Sequence, residues 1–237
     1  MAGRVLILSG GGDHADPWHS FLETSEAIGV LLEADGFEVQ LAVQVDRELA
    51  RLAPRAPEQP ALFDEPEPRT PDLVVVNAAR AEGDEAIPSP AAREGLRSHL
   101  ARGGGLLAVH AATVLWPGWE DWERILGGRW VAGRSWHPDL GPARVLLGPT
   151  AHPITADLEG RDHFDLVDER YSDLRVSPEA QQLAWHEYGG VHHPLLWARE
   201  VGPARVAVDL LGHDLRSYAS AERRALLLGA ARWAARA

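Results

Sequence analysis

Val5-Leu6-Ile7-Leu8, followed by Ser9-Gly10-Gly11-Gly12-Asp13-His14, is the stretch on which the fold turns. Four consecutive apolar residues bounded by glycines are the mark of a strand buried on both faces. Asp16-Pro17 then reads as a helix start, with an N-cap acid and proline at the first helical position. Trp18, Phe21, Leu22, Ile28, Leu31 and Leu32 form a helical stripe that Gly36 closes. Residues 37–43 follow as a second strand, which completes a βαβ opening and predicts a parallel sheet with a right-handed crossover.

The same alternation continues. Leu73-Val74-Val75-Val76 predicts a third strand, residues 91–101 a helix, and Leu106 to Val109 a fourth strand after three glycines. The expected fold is a flavodoxin-like, doubly wound α/β sheet, mainly parallel, with helices on both faces. Ligands of such sheets gather at the carboxyl ends of the strands. His14 and His110 follow the first and fourth strands and should face one crevice. A helix is expected at 116–126, strands at 143–147, 182–185, 195–198 and 205–210, and a closing helix at 222–235. His213 joins the crevice if the 205–210 strand lies in the main sheet. No repeat or linker divides the chain, so one domain over 1–237 is expected.

Composition narrows the chemistry. The chain has 237 residues, 45% hydrophobic and 24% charged, with a formal charge of 23 − 35 = −12. All its basic residues are arginine, and there is no cysteine. Disulfides, thiolate nucleophiles, Schiff bases and the P-loop lysine are therefore excluded. The acidic balance argues against nucleic acid, and no stretch approaches the ~18 apolar residues of a membrane helix. The cytoplasm is the expected compartment. From Glu58 to Glu85 eight acids face two arginines, so half of the charge excess falls in 28 residues. With six prolines between residues 54 and 71, that stretch reads as a surface excursion.

Histidine and carboxylate remain. Any one histidine is more often structural than functional, and the glycines at 10–12 fit a tight turn better than a phosphate loop. Asp168-Glu169-Arg170-Tyr171 is the strongest carboxylate cluster outside the excursion, readable as a salt-bridged turn, as a general base, or as a carboxylate that orients an imidazole. A divalent metal such as zinc would find ligands among His14, His110, His137, His213 and Glu169, although no H-x-H or H-E-x-x-H spacing supports it. Trp18, Trp116, Trp119 and Trp136 stand beside polar groups and are candidates to stack on a sugar ring.

Seven short motifs occur in order: Gly103-Gly104-Gly105-Leu106 with His110-Ala111-Ala112, Leu126-Gly127-Gly128, His137-Pro138, His152-Pro153-Ile154-Thr155, Asp168-Glu169-Arg170-Tyr171, Pro194-Leu195-Leu196-Trp197 and Leu211-Gly212-His213-Asp214. That succession resembles the ThuA-like trehalose-utilisation family over nearly the whole chain. The resemblance implies the fold of the class I glutamine amidotransferase superfamily. Amidotransferase members carry a cysteine at the turn after the strand that here ends at Val109. This chain has His110 there, so thioester chemistry on glutamine is excluded. The resemblance further implies a role in the metabolism of trehalose, related disaccharides or keto-sugars. It carries recurring polar positions onto His110, His137, His152, Asp168, Glu169, Tyr171, His213 and Asp214, and more loosely onto His14.

Two functions are then expected as alternatives. One is a sugar-active enzyme of isomerase, lyase or hydrolase type. In it His110, Glu169 and Asp168 are catalytic, and His14, His19, His137, Tyr171, His213, Asp214 and Trp116 bind substrate. The other is a non-catalytic carbohydrate-binding or regulatory protein on the same scaffold. Either takes a small-molecule sugar as partner, and exposed tryptophan in the second half favours a homodimer.

Overall fold

The opening run forms β1 (Arg4–Ser9), whose last five residues are all buried, in a computed structural model that describes residues 3–54, 70–79, 86–149 and 151–237. Five parallel strands make the first half of a nine-stranded sheet: β2 (Glu38–Ala42), β1, β3 (Leu73–Asn77), β4 (Gly105–Val109) and β11 (Ala204–Asp209). The second half is an antiparallel extension of β10 (Val191–Val201), β9 (Gln181–Tyr188), β6 (Gly141–Leu147) and β7 (His163–Asp168). Helices α1 (Phe21–Ala34) and α5 (Ala221–Ala235) pack together on one side. On the other, α2 (Val45–Ala50) packs against α3 (Pro90–Ala101). The fold is the expected doubly wound α/β sheet. Its proline- and acid-rich excursion falls almost wholly outside the described residues.

Besides strand β7 and helix α2, which the sequence reading did not expect, three details differ from the sequence expectation, each for a local reason. The first helix starts at Phe21 behind Ser20, not at Asp16-Pro17. Asp16 caps a turn instead, its Oδ1 accepting the backbone N–H groups of Trp18 at 2.9 Å and His19 at 3.0 Å. The expected 116–126 helix shrinks to α4 (Glu120–Leu126), because Trp116 adopts φ +51. That bend tucks its ring against Trp122, 5.0 Å between centroids. Residues 128–129 and 175–176 add a two-residue antiparallel pair, β5 (Gly128–Arg129) and β8 (Arg175–Val176).

Strand β11 carries the most weight for the site. It lies directly beside β4, with Asp209 opposite Val109, so residues 110 and 210 leave the sheet side by side. Edge strand β7 lies four strands from β11, which is roughly 19 Å across a flat sheet at ~4.8 Å per strand. Yet Asp168, the last residue of β7, accepts the N–H of Gly212 at 2.8 Å. The extension therefore curls back over the carboxyl ends of the parallel strands.

A buried histidine pair holds this curl. His186 on β9 donates from Nε2 to the Tyr171 carbonyl at 3.2 Å and stacks on His193, while its Nδ1 has no hydrogen-bond partner among the described residues. Burial, with His193 and Arg170 nearby, pushes its pKa down to about 4. A depressed imidazole stabilises the fold fully above the unfolded value of ~6.5 and loses that contribution as pH falls toward 4. Wild-type stability should therefore fall between pH 6.5 and 4, with at most about 1.4 kcal/mol per pH unit from this group. Denaturant titrations of His186→Gln should show a shallower slope; parallel curves would contradict this.

Candidate functional site

His110 opens the site. It follows β4 at the sharp turn and holds φ +47, a region that costs a non-glycine residue roughly 1–2 kcal/mol. The conformation turns the ring under the strand ends, where it is only 1% exposed. Its Nδ1 donates to the Leu210 carbonyl at 2.7 Å, and its face lies against Tyr171, 4.4 Å between centroids. His19 approaches from the first loop with Nε2 3.1 Å from His110 Nε2. Gly10 permits this approach, since a Cβ there would fall 2.4 Å from the Phe21 ring and 2.7 Å from the His14 carbonyl oxygen.

Glu169 sits at the centre. Its Oε2 lies 3.5 Å from His110 Nε2 and 3.2 Å from His213 Nδ1, and its Oε1 lies 3.1 Å from His137 Nδ1. Burial alone would raise its pKa, but His110 and His213 hold the carboxyl well below the ordinary carboxylate range. Glu169 in turn pushes His213 up against the opposing effect of burial. Burial pushes His19 down, with Asp16 working in the other direction. The buried Tyr171 hydroxyl is raised well above its usual value by desolvation and the nearby carboxylates. Glu169 is thus an anion at neutral pH, held among imidazoles.

Asp168 points away from the cleft. Its Oδ1 accepts the N–H of Glu169 at 2.8 Å and of His213 at 3.1 Å; Oδ2 accepts Gly212 N–H at 2.8 Å and the Ser217 hydroxyl at 2.5 Å. Four donors to one buried carboxylate clamp β7 to the Gly212–His213 loop. Asp168, expected as catalytic, is therefore placed as a positioning residue. Behind the loop, Arg223 and Asp209 form a fully buried pair at 2.8 Å.

Above this floor lies a cleft of about 530 Å³, lined by Asp16, Trp18, His19, Val114, Trp130, His137, Glu169, Tyr171 and His213. That volume is in the range of small-ligand sites. Trp18 is 67% exposed at the rim; Trp130 meets Tyr171 edge-on at 4.8 Å and His137 at 6.0 Å. The structure thus brings His19, His110, His137, Glu169, Tyr171 and His213 together.

It does not bring in the others. Trp116 is 1% exposed and belongs to the core, so it offers no face to a sugar; Trp119 is buried with it. His14 lies edge-on to Trp116 at 6.1 Å. Asp214 pairs with Arg216 at 2.5 Å on the surface, and Trp136 donates to Asp173 at 2.6 Å. His152 caps the 3-10 turn Pro153–Leu158, accepting the Ile154 N–H at 3.2 Å, and rests on Trp233. Sequence reasoning missed Asp16, whose cap motif pointed to a helix, and Trp130, which no periodic pattern marks.

Among the described residues no helix is long and apolar enough to cross a membrane. Several solved structures share the fold. A ThuA-like protein from Parabacteroides merdae matches with a TM-score of 0.74 at 19% identity, over 99% of this chain and 90% of that one. Another, from Bacteroides uniformis, matches with a TM-score of 0.72 at 16% identity, over 98% and 91%. A glutamine amidotransferase from Methylobacillus flagellatus matches with a TM-score of 0.51 at 13% identity, over 90% and 70%. No curated protein matches the chain. The model of the ThuA family, described as trehalose utilisation, matches residues 4–234, so this chain belongs to the ThuA family.

Proposed function

We propose that this protein is a cytoplasmic carbohydrate-active enzyme that moves a proton beside the carbonyl of a keto-sugar related to trehalose. The observation that carries the reading is the two-sided placement of Glu169. Oε2 is committed to His110 and His213 in the floor, while Oε1 faces His137 at 3.1 Å in the cleft. An ionised carboxylate on one ring nitrogen fixes the orientation of an imidazole, which can then exchange a proton with bound substrate through the other. His137 is the most exposed imidazole of the group and the one placed to reach the reacting carbon of a sugar. His110 lies beneath it and acts through its neighbours.

Sugar recognition fits the walls as well as the floor. Trp18 and Trp130 present aromatic surface on which a pyranose ring can stack, with hydroxyls turned toward Asp16, His19 and His213. Family membership favours trehalose or a related disaccharide as the source of the sugar. A carbonyl on that sugar is what gives His137 a proton acidic enough to remove, in isomerisation or elimination.

Product analysis with keto-disaccharides derived from trehalose tests this. Wild type should turn over at least one of them, and His137→Asn should lower turnover by about 10²–10⁴-fold with binding retained. Saturable binding without product would make the protein a carbohydrate-binding module instead. No binding of any sugar would overturn the reading.

A further inference from the structure

Two imidazoles in the floor face each other through nitrogens that both carry lone pairs. His110 Nδ1 lies 2.7 Å from the Leu210 carbonyl oxygen, which only accepts, so that nitrogen holds a hydrogen and Nε2 is the atom left to bind a ligand. His19 Nδ1 lies 2.7 Å from the Asp16 carboxylate, with the same consequence. The two Nε2 atoms are nevertheless 3.1 Å apart. Lone pairs at that distance repel unless a positive centre lies between them.

A proton could serve that one pair, but more donors converge on the same point. Glu169 Oε2 is 3.5 Å from His110 Nε2 and 3.2 Å from His213 Nδ1. One atom from each of His19, His110, Glu169 and His213 lies within 4.8 Å of all the others. A tetrahedral ion with bonds of ~2.0–2.1 Å to nitrogen holds its ligand atoms about 3.4 Å apart. The three short separations, 3.1, 3.2 and 3.5 Å, fall on both sides of that edge length.

We propose that His19, His110, Glu169 and His213 bind a divalent transition-metal ion of the zinc class at the floor of the cleft. Three imidazoles and one carboxylate suit such an ion and not calcium or magnesium, which take oxygen ligands. The outer contacts are those of a metal centre: Asp16 holds His19, the Leu210 carbonyl holds His110, and Asp168 fixes the backbone N–H groups of Glu169 and His213. Charge also balances, two positive against the carboxylates of Glu169 and Asp16. His137, on the opposite oxygen of Glu169, stays outside the ligand set.

The ion's role rests on the carbohydrate reading. His19, Glu169 and His213 all line the cleft, so a sugar carbonyl oxygen would reach the ion as a fifth ligand, its coordination expanding from four. Polarised there, the carbonyl makes its neighbouring C–H more acidic toward His137.

The purified chain, stripped with a chelator, is titrated with Zn²⁺ in competition with a chromophoric chelator, and separately with Co²⁺. Wild type should take up one ion per chain, and Co²⁺ should give the visible absorption of a tetrahedral nitrogen–oxygen site. His110→Ala should weaken Zn²⁺ binding by more than about 100-fold, and Asp16→Asn by about 10–100-fold, as outer-contact losses do. His152→Asn, at a histidine that rests on Trp233 away from the cleft, should leave it unchanged. Should His110→Ala fail to fold, the near-isosteric Asp16→Asn still decides. Absence of stoichiometric binding to folded wild type, or wild-type affinity in both His110→Ala and Asp16→Asn, overturns the proposal. Sugar turnover by a chain that binds no metal overturns this inference alone. Metal binding with no sugar affinity overturns the carbohydrate reading alone.

Discussion

Arg223→Met should cost about 3–5 kcal/mol of folding stability, the usual consequence of removing one partner of a buried ion pair. Arg223 is 0% exposed. Its Nη1 lies 2.8 Å from Asp209 Oδ2, its Nη2 donates to the Leu211 carbonyl at 3.1 Å, and its guanidinium lies over Tyr218 at 5.1 Å. Without it, Asp209 at the end of β11 is left in an apolar setting, where burial already pushes its carboxyl up. The melting temperature should fall by roughly 10 °C, at 2–4 °C per kcal/mol for a chain of this size. The double variant Arg223→Met with Asp209→Leu should recover much of the loss, because it removes both charges. A single-variant loss below about 1 kcal/mol would show that the pair is not desolvated as the structure describes.

The second large effect is chemical. Glu169→Gln should lower keto-sugar turnover by about 10²–10⁴-fold while leaving the fold intact. The amide keeps the size of the side chain but removes the charge that orients His137 and answers His110 and His213. The loop geometry should survive, because Asp168 and not Glu169 clamps Gly212 and His213. Turnover is compared with melting temperature in the same preparation. Turnover near the wild-type rate would remove Glu169 from the centre of the site.

The sequence made the parallel half of the sheet legible because its strands are buried on both faces. Val5 to Leu8, Leu73 to Val76 and Leu106 to Val109 read as unbroken apolar runs, and each is a strand. His110 was visible for the same reason, as the first polar residue beyond such a run. Asp16 was not, because an acid before proline looks like a helix cap whether it caps a helix or a turn. Trp116 shows the reverse error: it reads as a sugar-stacking ring, but a left-handed backbone turns the ring inward. The meeting of Glu169 with His110 depends on the curl of the antiparallel extension, which brings an edge strand over strands far away in the sheet. No local pattern encodes that curvature. The alternation of β7, with Phe164, Leu166 and Asp168 inward and Asp165 outward, was the one available trace of it.

Proton transfer at the sugar carbon next to a carbonyl is the step on which the proposed activity depends. Wild-type protein incubated in deuterated water with a trehalose-derived keto-disaccharide, and followed by proton NMR, should exchange or transfer that one C–H. The signal should be lost at a rate that collapses in both His137→Asn and Glu169→Gln. Retention of the full proton signal while the bound sugar saturates the cleft, or equal loss in all three proteins, would contradict it.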